Sequence, residues 1–193
     1  MRKYTSLAFT LVAALSTMSA AAQAPQSSQR HGFYIGGGFG YGSAGMTCDG
    51  CTADRTNGMS GYLKLGGTLN PHLRLGVESN GWYKSEDGVD QTIGFFSGDA
   101  YWYPSVSNNF YLKGGVGYSR YKASGSGNSL ETNGVGAAFG AGYDFQMAQS
   151  LAVTPFFNYL RQFGGEASFN GASLGQNGNA NVFQFGVGIG YQH

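Results

Sequence analysis

The sequence predicts an all-β fold: an eight-stranded antiparallel up-and-down transmembrane β-barrel, preceded by a cleavable signal peptide. Three observations lead there. Eight segments of roughly ten to thirteen residues alternate apolar and small or polar side chains with period 2, the repeat of a β-strand. The connections between them alternate short and long. Beyond the N-terminus no stretch resembles a membrane helix, which leaves a soluble protein or a membrane barrel. Composition points the same way. Charged residues make up 11% of the chain, less than half the roughly 25% of soluble domains. The 193 residues include 34 Gly, 13 Tyr and 14 Phe; that many aromatics argues against disorder. Only 4 Pro and no Gly-X-Y period exclude a collagen helix. A formal net charge of +1 gives no reason to expect nucleic acid as a partner.

Residues 1–22 read as the signal peptide. Met1-Arg2-Lys3 is a basic start, Leu7 to Ala14 opens an apolar run that continues to about Ala20, and Ala20-Ala21-Ala22-Gln23-Ala24 supplies small residues for cleavage. Cleavage after Ala22 is favoured, because cutting after Ala24 would leave Pro25 as the next residue. Residues 23–30 form a polar leader, and residues 31–193 the barrel domain.

The first predicted strand, His31 to Gly42, sets Phe33, Ile35, Phe39 and Tyr41 against Gly36, Gly38 and Gly40. The second, Gly58 to Leu69, sets Met59, Leu63, Leu65 and Leu69 against Ser60, Tyr62, Lys64 and Thr68. The third, Leu73 to Tyr83, opposes Leu73, Leu75 and Val77 to Arg74, Glu78 and Asn80. The fourth, Thr92 to Tyr103, places Phe96, Ala100 and Trp102 opposite Ser97, Asp99 and Tyr101. The fifth, Phe110 to Tyr121, opposes Leu112, Val116 and Tyr118 to Lys113, Gly117 and Ser119. The sixth, Gly134 to Phe145, opposes Val135, Ala137, Phe139 and Tyr143 to Gly136, Gly140 and Asp144. The seventh, Leu151 to Phe163, sets Val153, Phe157 and Tyr159 against Thr154 and Asn158. The eighth, Asn181 to Gln192, sets Phe183, Phe185, Val187, Ile189 and Tyr191 against Gln184, Gly186, Gly188 and Gly190.

Short connections fall at Asn70–His72, Pro104–Asn109 and Gln146–Ser150. Long ones, rich in turn-forming Gly, Ser, Asn and Asp, fall at Ser43–Asn57, Lys84–Gln91, Lys122–Asn133 and Gly164–Ala180. Short turns on one side and long loops on the other are the pattern of barrels in the bacterial outer membrane, with both chain ends in the periplasm and four surface loops outside. A soluble barrel would turn its apolar face inward and leave glycine toward water. In a membrane the apolar face meets lipid and the glycine and charged face fills a narrow bore. The expected lumen charges are Lys64, Arg74, Glu78, Asp99 and Lys113. Opposite charges should pair there, because an unpaired charge in a closed interior is costly. Aromatics near strand ends, including Phe33, Tyr41, Trp82, Tyr83, Tyr101, Trp102, Tyr103, Phe110, Tyr111, Tyr118, Tyr121, Tyr143 and Phe145, are expected to form girdles at the headgroup level.

Gly32-Phe33-Tyr34-Ile35-Gly36-Gly37-Gly38, the pair Tyr101-Trp102-Tyr103-Pro104 and Phe110-Tyr111-Leu112-Lys113-Gly114-Gly115-Val116-Gly117-Tyr118, and the last strand together carry a resemblance. The whole mature chain resembles the small outer-membrane β-barrel domain family of the porin superfamily. The family's C-terminal assembly signal reads polar-x-Gly-x-x-apolar-x-apolar; Gln184, Gly186, Ile189 and Tyr191 fill its positions, and the chain continues with Gln192 and His193. The resemblance implies recognition by the barrel-assembly machinery.

Sites for chemistry are sparse. Gly40-Tyr41-Gly42-Ser43-Ala44-Gly45 fits G-x-G-x-x-G, but a turn follows where a dinucleotide site needs a helix. No cofactor or metal is expected. Cys48 and Cys51 flank Asp49-Gly50; the oxidising export route and the tight turn favour a structural disulfide over a metal or redox role. His31, His72 and His193 have no evident Ser and acid partners for a lipid-cleaving triad. The expected function is therefore non-enzymatic: a monomeric barrel among outer-membrane lipid, presenting surface loops for a structural or surface-interaction role toward an unknown extracellular ligand. A narrow porin-like channel and a lipid-modifying barrel enzyme are the alternatives.

Overall fold

The computed structural model describes residues 30–48, 51–52 and 55–193, with side chains left out at 48, 51, 52 and 176. The predicted signal peptide and all of the polar leader except Arg30 lie outside the described residues. Ten strands follow in chain order: β1 (Phe33–Cys48), β2 (Cys51–Thr52), β3 (Thr56–Asn70), β4 (Leu73–Glu86), β5 (Val89–Trp102), β6 (Phe110–Gly125), β7 (Asn128–Tyr143), β8 (Phe145–Ala148), β9 (Leu151–Phe169) and β10 (Ala172–Gln192). Strand β2 caps the end of β1, and β8 continues β7 beyond a break at Asp144. The remaining order β1-β3-β4-β5-β6-β7-β9-β10 is antiparallel throughout, and β1 pairs with β10 from Tyr34↔Gln192 to Cys48↔Gly178. The sheet is thus a closed eight-stranded barrel. The G-x-G-x-x-G stretch lies within β1, as strand.

Period-2 alternation decides which side chains face lipid. On β5 burial alternates residue by residue, with Phe96 and Trp102 outside and Phe95, Ser97, Asp99 and Tyr101 inside. Outward apolar side chains are strongly exposed, as Phe39 at 84% shows. That exposure would be a liability in water and is expected of a barrel in hydrocarbon.

Glycine closes the seam. Across β1 and β10, Gly36 faces Gly190, Gly38 faces Gly188 and Gly40 faces Gly186. A Cβ on Gly40 would lie 2.8 Å from the Gly186 Cα. A Cβ on Gly38 would lie 2.6 Å from Cε1 of Tyr62 and 3.0 Å from Cε1 of Phe156. The glycine face therefore makes room for the Tyr62–Phe156 ring pair, edge to face with centroids 4.7 Å apart.

The long connections differ from expectation. Lys84–Gln91, Lys122–Asn133 and Gly164–Ala180 are mostly strand, closed by two-residue turns at Asp87-Gly88, Ser126-Gly127 and Asn170-Gly171. Both residues of each turn have positive φ: 52° and 76°, 50° and 81°, 49° and 83°. That is the signature of a type I′ hairpin turn, which Asp-Gly and Asn-Gly favour because it matches the twist of the flanking strands. Crossing the membrane takes about 9–11 residues, so β9, with 19, and β10, with 21, project well beyond it. Outside the membrane no apolar phase is needed. The alternation fades there although the ladder continues. On this side the ladder is irregular along β9, where β7–β9 shifts register between Asn133 and Val135 and β9–β10 between Gly178 and Asn181 and again between Ser173 and Asn177, near Gly164 at φ 54° and Gly175 at φ 64°.

Gly38→Leu is expected to lower the unfolding free energy in urea by about 1–3 kcal/mol, the cost of overfilling a packed interior. Phe39→Leu, one residue on and facing outward, should shift it by less than about 0.5 kcal/mol. Equal unfolding midpoints for the two variants would contradict the seam.

Candidate functional site

Two features of a small barrel can carry function: the bore and the segments outside the membrane. In the periplasmic half of the bore lies a polar network. Glu78 on β4 is fully enclosed and paired with Lys113 on β6, Nζ to Oε1 2.5 Å, with both side chains 2% exposed. Tyr101 Oη donates to the second Glu78 oxygen at 2.5 Å, and Asn80 Nδ2 donates to the first at 2.8 Å. A second acid, Asp144, accepts from Tyr103 Oη at 2.9 Å and Thr154 Oγ1 at 2.7 Å, with Arg74 Nη1 3.9 Å away. Arg74 also donates to Tyr103 Oη at 3.1 Å and to Gln192 Oε1. Asp99 accepts from Ser97 Oγ at 2.6 Å.

Lys64 stands in register with Glu78 across β3 and β4, yet the close ion pair of Glu78 is with Lys113, two strands away. The Lys64 ammonium sits instead among the rings of Tyr62, Tyr101 and Tyr111, at 5.5, 5.1 and 5.1 Å from their centroids. Ring faces attract a cation with their negative quadrupole, which offsets part of its lost hydration. The pairing that adjacency suggested gives way to a ring cage and a longer reach across β5.

The aromatic girdle also needs correction. Phe33, Tyr41, Tyr83, Trp102, Phe110, Tyr118 and Phe145 are exposed on the outside. Trp82, Tyr101, Tyr103, Tyr111 and Tyr121 are buried in the bore. Phase decides it for Trp82, Tyr101, Tyr111 and Tyr121, each an even number of residues from an inward polar group on its own strand, such as Glu78 for Trp82 and Asp99 for Tyr101; Tyr103 follows β5 in the same phase. In the outer half, Ala44, Trp82, Ile93, Phe95, Tyr121, Ala138, Leu160 and Val182 form one apolar cluster. Trp82 Nε1 is satisfied by the carbonyl of Gly42 at 3.0 Å. At the periplasmic mouth a cavity of about 20 Å³ remains beside Lys64, Arg74 and Asp144, room for about one water.

Arg30 was not foreseen. It precedes β1 but is buried in the periplasmic mouth, donating to the carbonyl of Pro71 at 3.1 Å, that of Asn108 at 2.5 Å and Asn109 Oδ1 at 2.9 Å. Its guanidinium lies 3.9 Å from the Tyr103 ring centroid. No local pattern marks it, because its partners lie 41 to 79 residues away. Asp144 carried a usable signal: it shares the inward phase of Gly136 and Gly140.

In the last strand Gln184 points inward and donates to the carbonyl of Gly81 at 3.2 Å; Gly186 faces Gly40, and Ile189 and Tyr191 face outward. The side chains of Cys48 and Cys51 are outside the described ones; the backbone sets the two residues opposite each other across β1 and β2.

Residues 10–192 match the family described as the outer membrane protein beta-barrel domain. No curated protein matches the sequence. Among solved structures, Neisserial surface protein A superposes with a TM-score of 0.59 at 14% identity, covering 83% of this chain and 97% of that one. Ail, the attachment invasion locus protein of Yersinia pestis, gives 0.50 at 16% identity, covering 83% and 99%. OprG from Pseudomonas aeruginosa also gives 0.50 at 16%, covering 86% and 99%. At these identities the likeness concerns the fold. Closed ring, lipid-facing apolar surface and family match agree, and the chain belongs to the outer membrane protein β-barrel domain family of the bacterial outer membrane.

Proposed function

We propose that this protein is a non-enzymatic surface protein, in which a sealed barrel anchors extracellular hairpins for contact with a partner outside the cell. The filled bore carries this reading. An eight-stranded barrel is just wide enough to be filled by side chains. Here the apolar cluster around Trp82 and Phe95 lies outside a layer of paired charges. A solute would have to displace both. What stands clear of the membrane is the set of hairpins, of which β4–β5, β6–β7 and β9–β10 continue the barrel's ladders up to their turns. The biogenesis that goes with this reading uses Gln184, Gly186, Ile189 and Tyr191 as the signal for the barrel-assembly machinery, acting on a monomer.

In planar bilayers the mature protein is expected to show no unitary conductance steps. Steps that scale with protein concentration would favour the narrow channel instead. For the surface role, bacteria displaying the protein should be retained on immobilised extracellular matrix more than bacteria whose β9–β10 hairpin is trimmed. Equal retention at equal surface levels would count against it.

The same reading includes a structural disulfide between Cys48 and Cys51. Residues directly opposite in an antiparallel pair have Cα atoms about 4.5–5.5 Å apart, inside the range a disulfide spans. The bridge closes a very short loop, so it removes little entropy from the unfolded chain and acts locally. Mass spectrometry of alkylated, non-reduced protein should find no free thiol. The double Cys→Ser variant should keep the gel shift between unboiled and boiled samples. Two alkylated thiols would reject the bridge, and loss of the shift would reject its local role.

A further inference from the structure

We propose that the cavity at the periplasmic mouth, beside Lys64 and Arg74, binds a single monoatomic anion of the chloride class. The site is independent of what the hairpins contact.

Charge points to it first. Among the described residues the enclosed cations are Arg30, Lys64, Arg74 and Lys113, and the enclosed acids are Glu78, Asp99 and Asp144. The layer thus carries one cation more than it carries acids. Three of the cations have oxygen partners. Lys113 meets Glu78 at 2.5 Å; Arg74 faces Asp144 at 3.9 Å and donates to Tyr103 and Gln192; Arg30 donates to Pro71, Asn108 and Asn109. Lys64 differs. It is nine-tenths buried, yet has no carboxylate within 4.0 Å and no hydrogen-bond acceptor among the described residues. Its ammonium lies against the rings of Tyr62, Tyr101 and Tyr111. Rings offset part of the lost hydration but leave the charge in place. The acids of the layer are engaged elsewhere. Glu78 holds Lys113, Asp144 accepts from Tyr103 and Thr154, and Asp99 lies against Gly115 of β6, outside the cavity wall.

Space lies where the charge is unmatched. Lys64 and Arg74 both line the cavity of about 20 Å³, Ser150 and Gln146 bring a hydroxyl and an amide to its wall, and Asp144 is its one acid. Two cations against one carboxylate leave the lining positive. A volume that takes about one water admits a halide ion and excludes sulfate, phosphate or a carboxylic acid. A bound anion supplies the negative charge that the enclosed acids do not.

Glycine shapes the seat. Gly36 stands in register with Lys64 on one side and Gly190 on the other. A Cβ on Gly36 would lie 3.3 Å from Lys64 Cε, so the lysine stem passes over this glycine. Gly190 lines the cavity, and a Cβ there would meet only the Ile35 carbonyl oxygen within 4 Å, at 3.9 Å. A methyl at position 190 therefore has the cavity to occupy. Above the layer the apolar cluster around Trp82 closes the bore, so the anion is seated from the periplasm and does not pass through.

The test follows urea unfolding of the mature barrel at fixed ionic strength while sodium gluconate, whose anion is too large for the cavity, is replaced by sodium chloride. An ion bound only by the folded state stabilises it by mass action. Once chloride exceeds its dissociation constant, each further tenfold should raise the folded-to-unfolded ratio about tenfold. Lys64→Met, which removes the charge, and Gly190→Ala, which fills the cavity, should each lose that response. Lys122→Gln, an exposed cation on the outer wall, should keep it. No chloride response in the wild type, or one that survives Lys64→Met or Gly190→Ala, would overturn the proposal. Crystals of the wild type grown in bromide decide the matter if the variants do not fold: an anomalous peak is expected beside Lys64 Nζ, and its absence would overturn the proposal. A bromide peak without any chloride dependence of unfolding would mark an adventitious ion only and would also overturn it.

Discussion

Hydrocarbon offers no partner for a backbone N–H or C=O, so a strand in the membrane must be paired on both edges. In this chain that demand is met by closing β10 onto β1, and most of the structure follows from the closure. Eight strands set a bore about as wide as the side chains that line it. Every inward residue must then fit its neighbours, and every inward charge must find compensation. Glycine along β1 and β10 is one consequence, because Tyr62 and Phe156 need the space that a Cβ would occupy. The pairing of Glu78 with Lys113 is another, because neither could be buried alone.

The interior divides along its length. Toward the periplasm, Glu78 and Asp144 are bonded by cations and by the hydroxyls of Tyr101 and Tyr103, and Arg30 joins this layer from outside the sheet. Toward the outside, an apolar cluster excludes water. The polar half fixes one arrangement through directional bonds; the apolar half fills space. The proposed function accordingly rests on surfaces the ring does not constrain, the hairpins.

Much of this was legible in the sequence. The period-2 pattern assigned Phe39, Leu63, Val116 and Ile189 to lipid, and Lys64, Glu78, Asp99 and Gln184 to the bore, because the pleat leaves only two choices. It was silent wherever a second constraint intervened. Alternation marks a strand only while one face is apolar, so β9 and β10 outside the membrane resembled loops. The turns Asp87-Gly88 and Asn170-Gly171 were the available signal that they were hairpins. Trp82 and Tyr111 were assigned by their nearness to strand ends, although their phase had already placed them inside. The partner of Glu78 was not legible, since Lys64 on the adjacent strand and Lys113 two strands away share the same phase. Arg30 has no periodic context, and its role exists only once the periplasmic turns have come together.

The central claim is that a charge enclosed by ring closure must be compensated, and that Glu78 and Lys113 compensate each other. A double-mutant cycle on unfolding in urea tests it, using Glu78→Gln, Lys113→Met and the two combined, each confirmed as a heat-modifiable barrel. Either single change should cost about 3–5 kcal/mol, because it strands the other charge. The double variant should cost well below the sum, by at least about 1.5 kcal/mol. Losses that add within about 0.5 kcal/mol would show that the two charges do not depend on each other, and would contradict the account.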